Sequence, residues 1–144
     1  MDEKRIFAKC DELDSYLEEL EKIKPSEYEE YKRSIEKKRA CERLLQISIE
    51  TVIDICNILV SDLRLGLPSE EEDLFIKLVN KKIISNDMAK ILIKMKGLRN
   101  LLVHKYGVID DEEIFEILTE KLGDFDSFKE EVLGIVKKEN KKKH

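Results

Sequence analysis

The sequence predicts an all-α protein, an antiparallel bundle of four or five helices, from three observations. Apolar residues recur at every third or fourth position through most of the 144-residue chain, which is the period of helices with one buried face. No segment of any length shows the strict alternation of apolar and polar residues that is typical of strands. The two prolines, Pro25 and Pro68, both fall between periodic segments. Helices of this kind bury their apolar faces against one another.

The first helix is predicted for residues 3–23, and Pro25 ends it. Ser26 and Glu29 then have the spacing of a capping box, which predicts the start of the next helix. The apolar face of the first helix is formed by residues spaced four, three, four and three positions apart: Ile6, Cys10, Leu13, Leu17 and Leu20.

The second helix is predicted to be long, because neither glycine nor proline occurs between Pro25 and Gly66. We expect its charged first part, residues 28–38, to project from the bundle or to pair with the first helix. The second part is apolar on most sides, which indicates a centrally buried helix. One polar stripe remains, which either faces solvent or forms the wall of a cleft: Arg39, Arg43, Gln46, Glu50, Asp54, Asn57 and Ser61.

Two further helices are predicted after the turn at residues 66–68. Ser69 and Glu72 have the spacing of a second capping box, at the start of a short helix over residues 70–80. The sequence at 85–87 caps the next helix, and Gly107 lies just beyond its end. Its apolar face consists of Met88, Leu92, Met95, Leu98 and Leu102.

The last helix begins with an acidic run at residues 110–113, which we interpret as favourable charge at a helix N-terminus rather than as a metal site. Residues 123–124 are the expected place for an interruption. Beyond them the apolar pattern continues to about residue 138. We therefore predict one domain at residues 1–138, followed by a charged, solvated tail at 139–144.

Composition limits the classes of function. The net charge of −5 does not favour binding to nucleic acid, so any such contact has to come from a local basic segment. The three cysteines are odd in number and lack CxxC spacing, which indicates reduced core thiols and a cytoplasmic protein. We expect no signal peptide and no membrane-spanning segment, since the chain has no run of 18 uncharged apolar residues.

One local basic segment exists, at residues 88–109. It contains no acidic residue, although the chain is rich in Asp and Glu. It contains one of the two histidines, His104, and five cationic residues: Lys90, Lys94, Lys96, Arg99 and Lys105. An acidic protein that excludes carboxylates from one helix has a local cationic surface there.

The residue types in this segment suit a phosphodiester. Arginine offers a planar, permanently charged fork to phosphate oxygens, and an imidazole can accept a proton near neutral pH. In RNA, a base that deprotonates the 2′-OH and a cation that stabilises the phosphorane together cleave the strand without a metal. The structural alternative is that Arg99 forms an ion pair with Glu50 and that His104 packs on Asp54.

The string Arg99-Asn100-Leu101-Leu102-Val103-His104-Lys105-Tyr106 resembles the Arg-x4-His-x-Tyr motif of the HEPN superfamily, specifically of the HepT-like toxins. The resemblance also includes residues 39–54 and the 66–68 loop, and it covers about residues 39–128. It implies a metal-independent endoribonuclease without a cofactor, the toxin of a type II toxin–antitoxin pair. It further implies a symmetric homodimer with the motif at its interface. The implied partners are RNA, with tRNA and mRNA as candidates, and an MNT-type nucleotidyltransferase antitoxin.

The resemblance also assigns the site. Arg99 and His104 are the implied catalytic pair, and Tyr106 is the implied acceptor of AMP from the antitoxin. The acid that protonates the leaving oxygen stays open between a second His104 in a dimer, Tyr106 and water. The other implied site residues are Asn100, Tyr106, Glu50 and Asp54 in supporting roles, with Lys96 and Lys105 contacting RNA. Two alternative functions are a non-catalytic helical module that binds a nucleotide or a partner beside a nucleotidyltransferase, and a purely structural dimerisation domain.

Overall fold

The structure is a computed structural model that describes residues 1–104 and 109–142. Over these residues it contains helices and no strand, which confirms the predicted all-α class. The helices are α1 (Glu3–Ile23), α2 (Tyr28–Arg33), α3 (Ile35–Asp62), α4 (Glu71–Asn80), α5 (Asn86–His104), α6 (Asp111–Glu116) and α7 (Gly123–Lys142), with a π-helical turn (Ile117–Lys121) between the last two.

Helix α3 is the centre of the bundle, and it contacts α1, α2, α4 and α5. By length and composition alone it could cross a membrane, since an 18-residue window has a mean hydropathy of 1.6. Most of that window is buried by the surrounding helices. Its apolar composition is therefore accounted for by its central position, as the sequence predicts.

Helix α1 has the bounds and the buried face predicted from the sequence. The carboxylate of Asp2 accepts a hydrogen bond from the backbone N–H of Arg5, 3.2 Å away, and so caps the first turn. The residues of its apolar stripe are all buried: Ile6, Cys10, Leu13, Leu17 and Leu20.

The long second helix predicted from the sequence is interrupted at Ser34, so that prediction is wrong. Ser34 is extended, and its Oγ accepts from the N–H of Lys37 at 3.2 Å, which caps a new helix. The predicted capping box at Ser26 is also wrong, since α2 starts after Glu27 without a side-chain cap. Tyr31 is fully buried, with its ring centroid 5.9 Å from that of Phe115.

Helix α2 therefore packs against α3 and α6, and it neither projects into solvent nor runs alongside α1 as expected. Both tyrosines of α2 contact the same aromatic partner, the ring of Phe115. Tyr28 makes an edge-to-face contact with Phe115, at 5.6 Å between centroids.

Two residues after the end of α3, and again after the end of α4, the chain has a left-handed residue that is not glycine. Arg64 has φ 53° and Lys82 has φ 61°. The backbone N–H groups of Arg64 and Leu65 donate to the carbonyls of Ser61 and Val60, which is the hydrogen-bond pattern of a Schellman cap. Lys82 and the next residue repeat this pattern on α4.

The N-termini of α4 and α5 are capped in different ways. The predicted capping box of Ser69 and Glu72 is wrong, because it is Asp73 whose carboxylate accepts from the N–H of Ser69, at 3.0 Å. The cap of α5 is present as predicted, since Ser85 Oγ accepts from the N–H of Met88 at 3.0 Å. A carboxylate of α7, that of Glu131, accepts from the N–H of Ser85 at 2.7 Å and attaches the start of α5 to α7.

The C-terminal part of the chain follows one helical path from α6 to α7. Asp110 caps α6 as predicted, and its carboxylate accepts from the N–H groups of Glu112 and Glu113. The predicted interruption at residues 123–124 is replaced by the π-helical turn just before it. Helix α7 continues to Lys142, beyond the predicted end near residue 138.

The π-helical turn uses side chains to satisfy carbonyls in and around it. A π turn changes the local hydrogen-bond ladder, so some carbonyls need other donors. The hydroxyl of Thr119 donates to the carbonyl of Phe115 at 3.0 Å, and the ammonium of Lys24 donates to the carbonyl of Leu118 at 3.0 Å. The second bond connects the end of α1 to the turn.

Candidate functional site

Helix α5 carries the acid-free segment and is held in the bundle by its apolar face. Met88, Leu92 and Leu102 are buried, and Met95 and Leu98 pack partly buried against the core. These contacts position α5 against both α3 and α4. The polar side chains of α5 therefore project from a helix whose position is fixed by its contacts with the core.

Arg99 has the least exposed side chain among the cations of this segment that the structure describes. Its side chain is only 15% exposed, and it forms an ion pair through Nη2 with the carboxylate of Glu71 on α4. Its Nε donates to the amide oxygen of Asn100 at 2.9 Å. Over the described residues, these two hydrogen bonds involve only Nε and Nη2, so both N–H groups of Nη1 remain available to a ligand.

Lys96 repeats this arrangement one turn earlier on α5. Its ammonium lies 2.8 Å from the carboxylate of Glu72, and its side chain is 20% exposed. Two consecutive acids in the first turn of α4 thus pair with two cations that lie three positions apart on α5. Their spacing of three positions places Lys96 and Arg99 on the same side of α5, whereas the pairing of each with Glu72 and Glu71 was not predicted from the sequence.

The two predicted supporting carboxylates, Glu50 and Asp54, have other partners in the described chain. Glu50 accepts from the side-chain amide of Gln46 at 2.9 Å. Asp54 is exposed and forms an ion pair with Lys9 of α1 at 3.3 Å. The alternative of an Arg99–Glu50 ion pair is wrong, since the carboxylate that pairs with Arg99 is that of Glu71.

The pair between Lys9 and Asp54 changes the titration of the lysine. Partial burial disfavours the charged ammonium, but the hydrogen bond and the attraction from Asp54, with help from Glu12, outweigh it and raise the pKa of Lys9. Asp54 therefore has a structural partner on α1 in this structure, on the solvent-facing stripe of α3.

His104 is exposed and is the last residue of α5. It lies five positions after Arg99, a rise of about 7.5 Å along the helix axis. The other two motif residues of interest, Lys105 and Tyr106, and the predicted terminator Gly107, lie outside the described residues. The structure thus places Arg99, Asn100 and His104 in the last two turns of α5, with His104 exposed and the other two partly buried.

A separate cavity of about 360 Å³ lies between α3, α5, α6, the π-helical turn and α7. Its lining is mainly apolar, with charged groups from Lys94, Glu113, Lys121 and Asp124, and it includes neither Arg99 nor His104. The apolar part of the lining comes from Leu45, Ile49, Ile91, Met95, Leu98, Ile117 and Phe125. Arg99 and His104 therefore lie outside this cavity.

No group of three or more His, Cys, Asp or Glu side chains is arranged to hold a metal ion anywhere in residues 1–104 and 109–142. The acidic run lies at the start of α6, where Asp110 caps the helix and the next three acids occupy its first turn. What the C-terminal end of α5 offers chemically is one guanidinium held in a defined orientation, one imidazole and nearby lysines.

Comparison with known proteins identifies relatives of most of the chain. A family model described as ribonuclease HepT-like matches residues 13–132. A tRNA nuclease HepT of Aphanizomenon flos-aquae is 33% identical over 110 residues, which are 76% of this chain and 75% of the relative. An mRNA nuclease HepT of Shewanella oneidensis is 33% identical over 84 residues, or 58% of this chain and 63% of the relative.

Solved structures show the same fold. A chain of a toxin–antitoxin crystal structure with AMP-PNP superposes with a TM-score of 0.83 at 23% identity, covering 90% of this chain and 97% of that one. A tri-AMPylated HEPN toxin of Shewanella oneidensis in complex with an MNT antitoxin superposes with a TM-score of 0.84 at 24% identity, covering 90% and 96%. The architecture of this chain is therefore shared over nearly its full length.

Proposed function

The chain belongs to the HepT-like family of ribonucleases, and we propose that it cleaves RNA through Arg99 and His104 as the toxin of a toxin–antitoxin pair. The observation that supports this most strongly is the hydrogen bonding of the Arg99 guanidinium. This guanidinium is held by Asn100 with the Nη1 edge left available, in the same last two turns of α5 as His104. A curated relative that is 33% identical over three quarters of the chain is a tRNA nuclease.

In the proposed reaction, His104 removes the proton of a ribose 2′-OH. The resulting oxyanion attacks the adjacent phosphorus, and Arg99 stabilises the negative charge that accumulates on the phosphoryl oxygens. The bond from phosphorus to the 5′-oxygen then breaks. The products are a strand that ends in a 2′,3′-cyclic phosphate and a strand with a free 5′-OH, and no metal takes part.

The leaving 5′-oxygen needs a proton, and one chain contributes one histidine to the motif. We propose a homodimer in which a second copy of His104 supplies it, since a two-fold interface makes one residue serve twice. Tyr106 and water remain the alternatives in a monomer. Lys96 and Lys105 are the proposed phosphate contacts, and Glu50 and Asp54 retain only a minor, orienting role in this proposal.

The proposed partner is an MNT-type nucleotidyltransferase acting in the cytoplasm. Similar structures include a toxin that is AMPylated and bound to an MNT antitoxin. Tyr106 is the proposed acceptor of AMP here. An AMP group two residues from His104 would bring an anionic phosphodiester close to Arg99 and compete with RNA for that cation.

The test is cleavage of tRNA and total RNA by the purified protein in EDTA. We expect strand breaks with 2′,3′-cyclic phosphate ends, and a loss of about a hundredfold or more in His104→Ala, the scale for losing a general base. His144→Ala is the matched control, because it removes the only other histidine. A requirement for Mg²⁺, or normal cleavage by His104→Ala, would contradict the proposal and favour the non-catalytic binding module.

A further inference from the structure

We infer that the first turn of α4 regulates the proposed site, with Glu71 and Glu72 occupying the positions on Arg99 and Lys96 that RNA phosphates would take. We call these two residues the acidic turn. The inference rests on the proposed function, since it concerns the same cations. RNA must displace the acidic turn before both cations can bind phosphate.

The contacts define the competition. Glu71 pairs with Arg99, and Glu72 pairs with Lys96 at 2.8 Å. A carboxylate presents anionic oxygens to a guanidinium or ammonium in the same way as a phosphate does. Taken together, the four groups carry no net charge. The acid-free segment of α5 is thus partly neutralised by a neighbouring helix rather than by its own residues.

The burial of these groups indicates that the acids can leave while the cations remain. Glu71 and Glu72 are 36% and 40% exposed, whereas Arg99 and Lys96 are 15% and 20% exposed. Ion pairs that solvent reaches to this extent are weak, because water and salt screen them. The acids therefore provide a barrier that a polyanion can overcome, and they do not seal the site.

The helix backbones do not need to move for this exchange. Leu74, Phe75 and Leu78 are buried and fix α4 in the core, so only the two glutamate side chains have to change rotamer. When Glu71 leaves, the hydrogen bond from Arg99 Nε to Asn100 still orients the guanidinium. Asn100 thus orients the guanidinium of Arg99, whereas Glu71 competes with RNA phosphate for that guanidinium.

This arrangement has a signature in salt dependence. A lysine or arginine that binds a phosphate releases a counterion from the nucleic acid, and each such cation makes the slope of log K against log salt more negative by about 0.7 on a single strand. In the native protein, a glutamate freed by the exchange takes up a counterion, which cancels part of that release. Removing the acidic turn should therefore strengthen binding and steepen the slope.

The experiment measures binding of a 2′-O-methyl oligoribonucleotide, which lacks the nucleophilic hydroxyl and is not cut by the proposed mechanism. Fluorescence anisotropy at several salt concentrations compares the native chain with Glu71→Gln, Glu72→Gln and the double variant. We expect the double variant to bind about three- to tenfold more tightly at low salt, with smaller gains for each single variant.

Glu70→Gln is the matched control. Glu70 is exposed, directly precedes the acidic turn and makes no side-chain cap, and its substitution removes the same charge. We expect its affinity to stay within about twofold of the native value, since screened charges at a distance contribute little. Thermal unfolding of each variant checks that α4 is intact.

The outcomes separate this inference from the proposed function. Native-like affinity and slope in the double variant would overturn the role of the acidic turn and leave the nuclease proposal standing. Unchanged affinity with a reduced kcat on cleavable RNA would overturn it in favour of a positioning role for Glu71. If neither the native chain nor any variant binds the oligonucleotide, that result would contradict both the role of the acidic turn and the nuclease proposal.

Discussion

The amide oxygen of Asn100 lies 2.9 Å from Nε of Arg99, the residue directly before it on α5. This bond between neighbours sets the plane of the guanidinium. Asn100→Ala should therefore lower RNA cleavage by about tenfold through kcat, because a cation that is free to rotate is misaligned in the transition state.

Asn57→Ala is the control for this prediction, since the amide of Asn57 lies on the exposed side of α3 and donates to the carbonyl of Ile53. Steady-state kinetics on one defined RNA would separate kcat from KM. A variant of Asn100 with native kcat would show that Glu71 alone orients Arg99.

Arg99→Lys should lower cleavage by about a hundredfold or more, although the charge is retained. A single ammonium cannot keep a planar bond to Asn100 while also offering a fork to phosphate. The control is Lys90→Ala, which removes an exposed charge from the same helix and should leave activity nearly native. Native-like activity of Arg99→Lys together with a loss of activity in Lys90→Ala would mean that only the net charge of α5 matters.

Tyr106 provides a test of the proposed antitoxin chemistry. Co-expression with an MNT-type nucleotidyltransferase should add one or more AMP groups to the peptide that contains Tyr106, and RNA cleavage should fall as this fraction rises. Peptide mass spectrometry measures the modification. Tyr106→Phe should stay active in the presence of the partner, provided that the hydroxyl is not the catalytic acid. A fully inhibited complex with unmodified Tyr106 would point instead to inhibition by occlusion.

Lys82 occupies a left-handed position, with φ 61°, just after α4. A side chain in this conformation costs about 1–2 kcal/mol, and glycine avoids the cost but loses more entropy on folding. Lys82→Gly should therefore stabilise the protein by about 0.5–1 kcal/mol in urea unfolding. Lys81→Gly is the control, since Lys81 has φ −87° and gains nothing from glycine. If Lys82→Gly is less stable than the native chain, the lysine side chain stabilises the protein by more than its left-handed backbone costs.

The three buried cysteines predict a loss of stability at alkaline pH. Burial raises the pKa of Cys10 and Cys56, and burial together with Glu42 raises that of Cys41 to about 11, from an ordinary value of 9.0. Because the unfolded chain releases these protons first, the contribution is complete below about pH 9 and is lost as pH rises toward 11.

Urea midpoints measured across this range would check the sign. Between pH 8 and pH 11, the Cys41→Ala variant should lose less of its stability than the native chain loses. In the native state, iodoacetamide should leave all three thiols unmodified at pH 8, since the reactive thiolate is scarce and inaccessible. Rapid alkylation of any of them without unfolding would contradict the burial seen here.

Local patterns were sufficient for much of the fold. The stripe of α1, the Ser85 cap and the acidic start of α6 depend on residues within one or two turns, and each is present as predicted. The break at Ser34 was not predictable in this way, because it depends on Tyr31 reaching Phe115 far along the chain. The same applies to the π-helical turn, whose carbonyl at Leu118 is bound by Lys24.

The candidate site also contains some residues that the sequence predicts and others that it does not. Arg99, Asn100 and His104 could be found from sequence because they form one contiguous string on one helix. Glu71 and Glu72 could not, since their role depends on how α4 packs against α5. One signal was present, a run of acids at residues 70–73 shortly before a helix that has none after its first turn, and it indicates a complementary surface.

The π-helical turn at Ile117–Lys121 also determines how tolerant this region is of changes in chain length. A π turn accommodates one residue more than an α-helical turn, and each residue of a helix corresponds to about 100° of rotation. Deleting one residue here would convert the π turn into a regular α-helical turn. Because the π turn already absorbs the extra residue, Phe125, Phe128 and Val132 would still face the core that they now fill. Homologous chains that share this core should thus tolerate one residue fewer between Ile114 and Phe125, with a regular α-helix in place of the π turn.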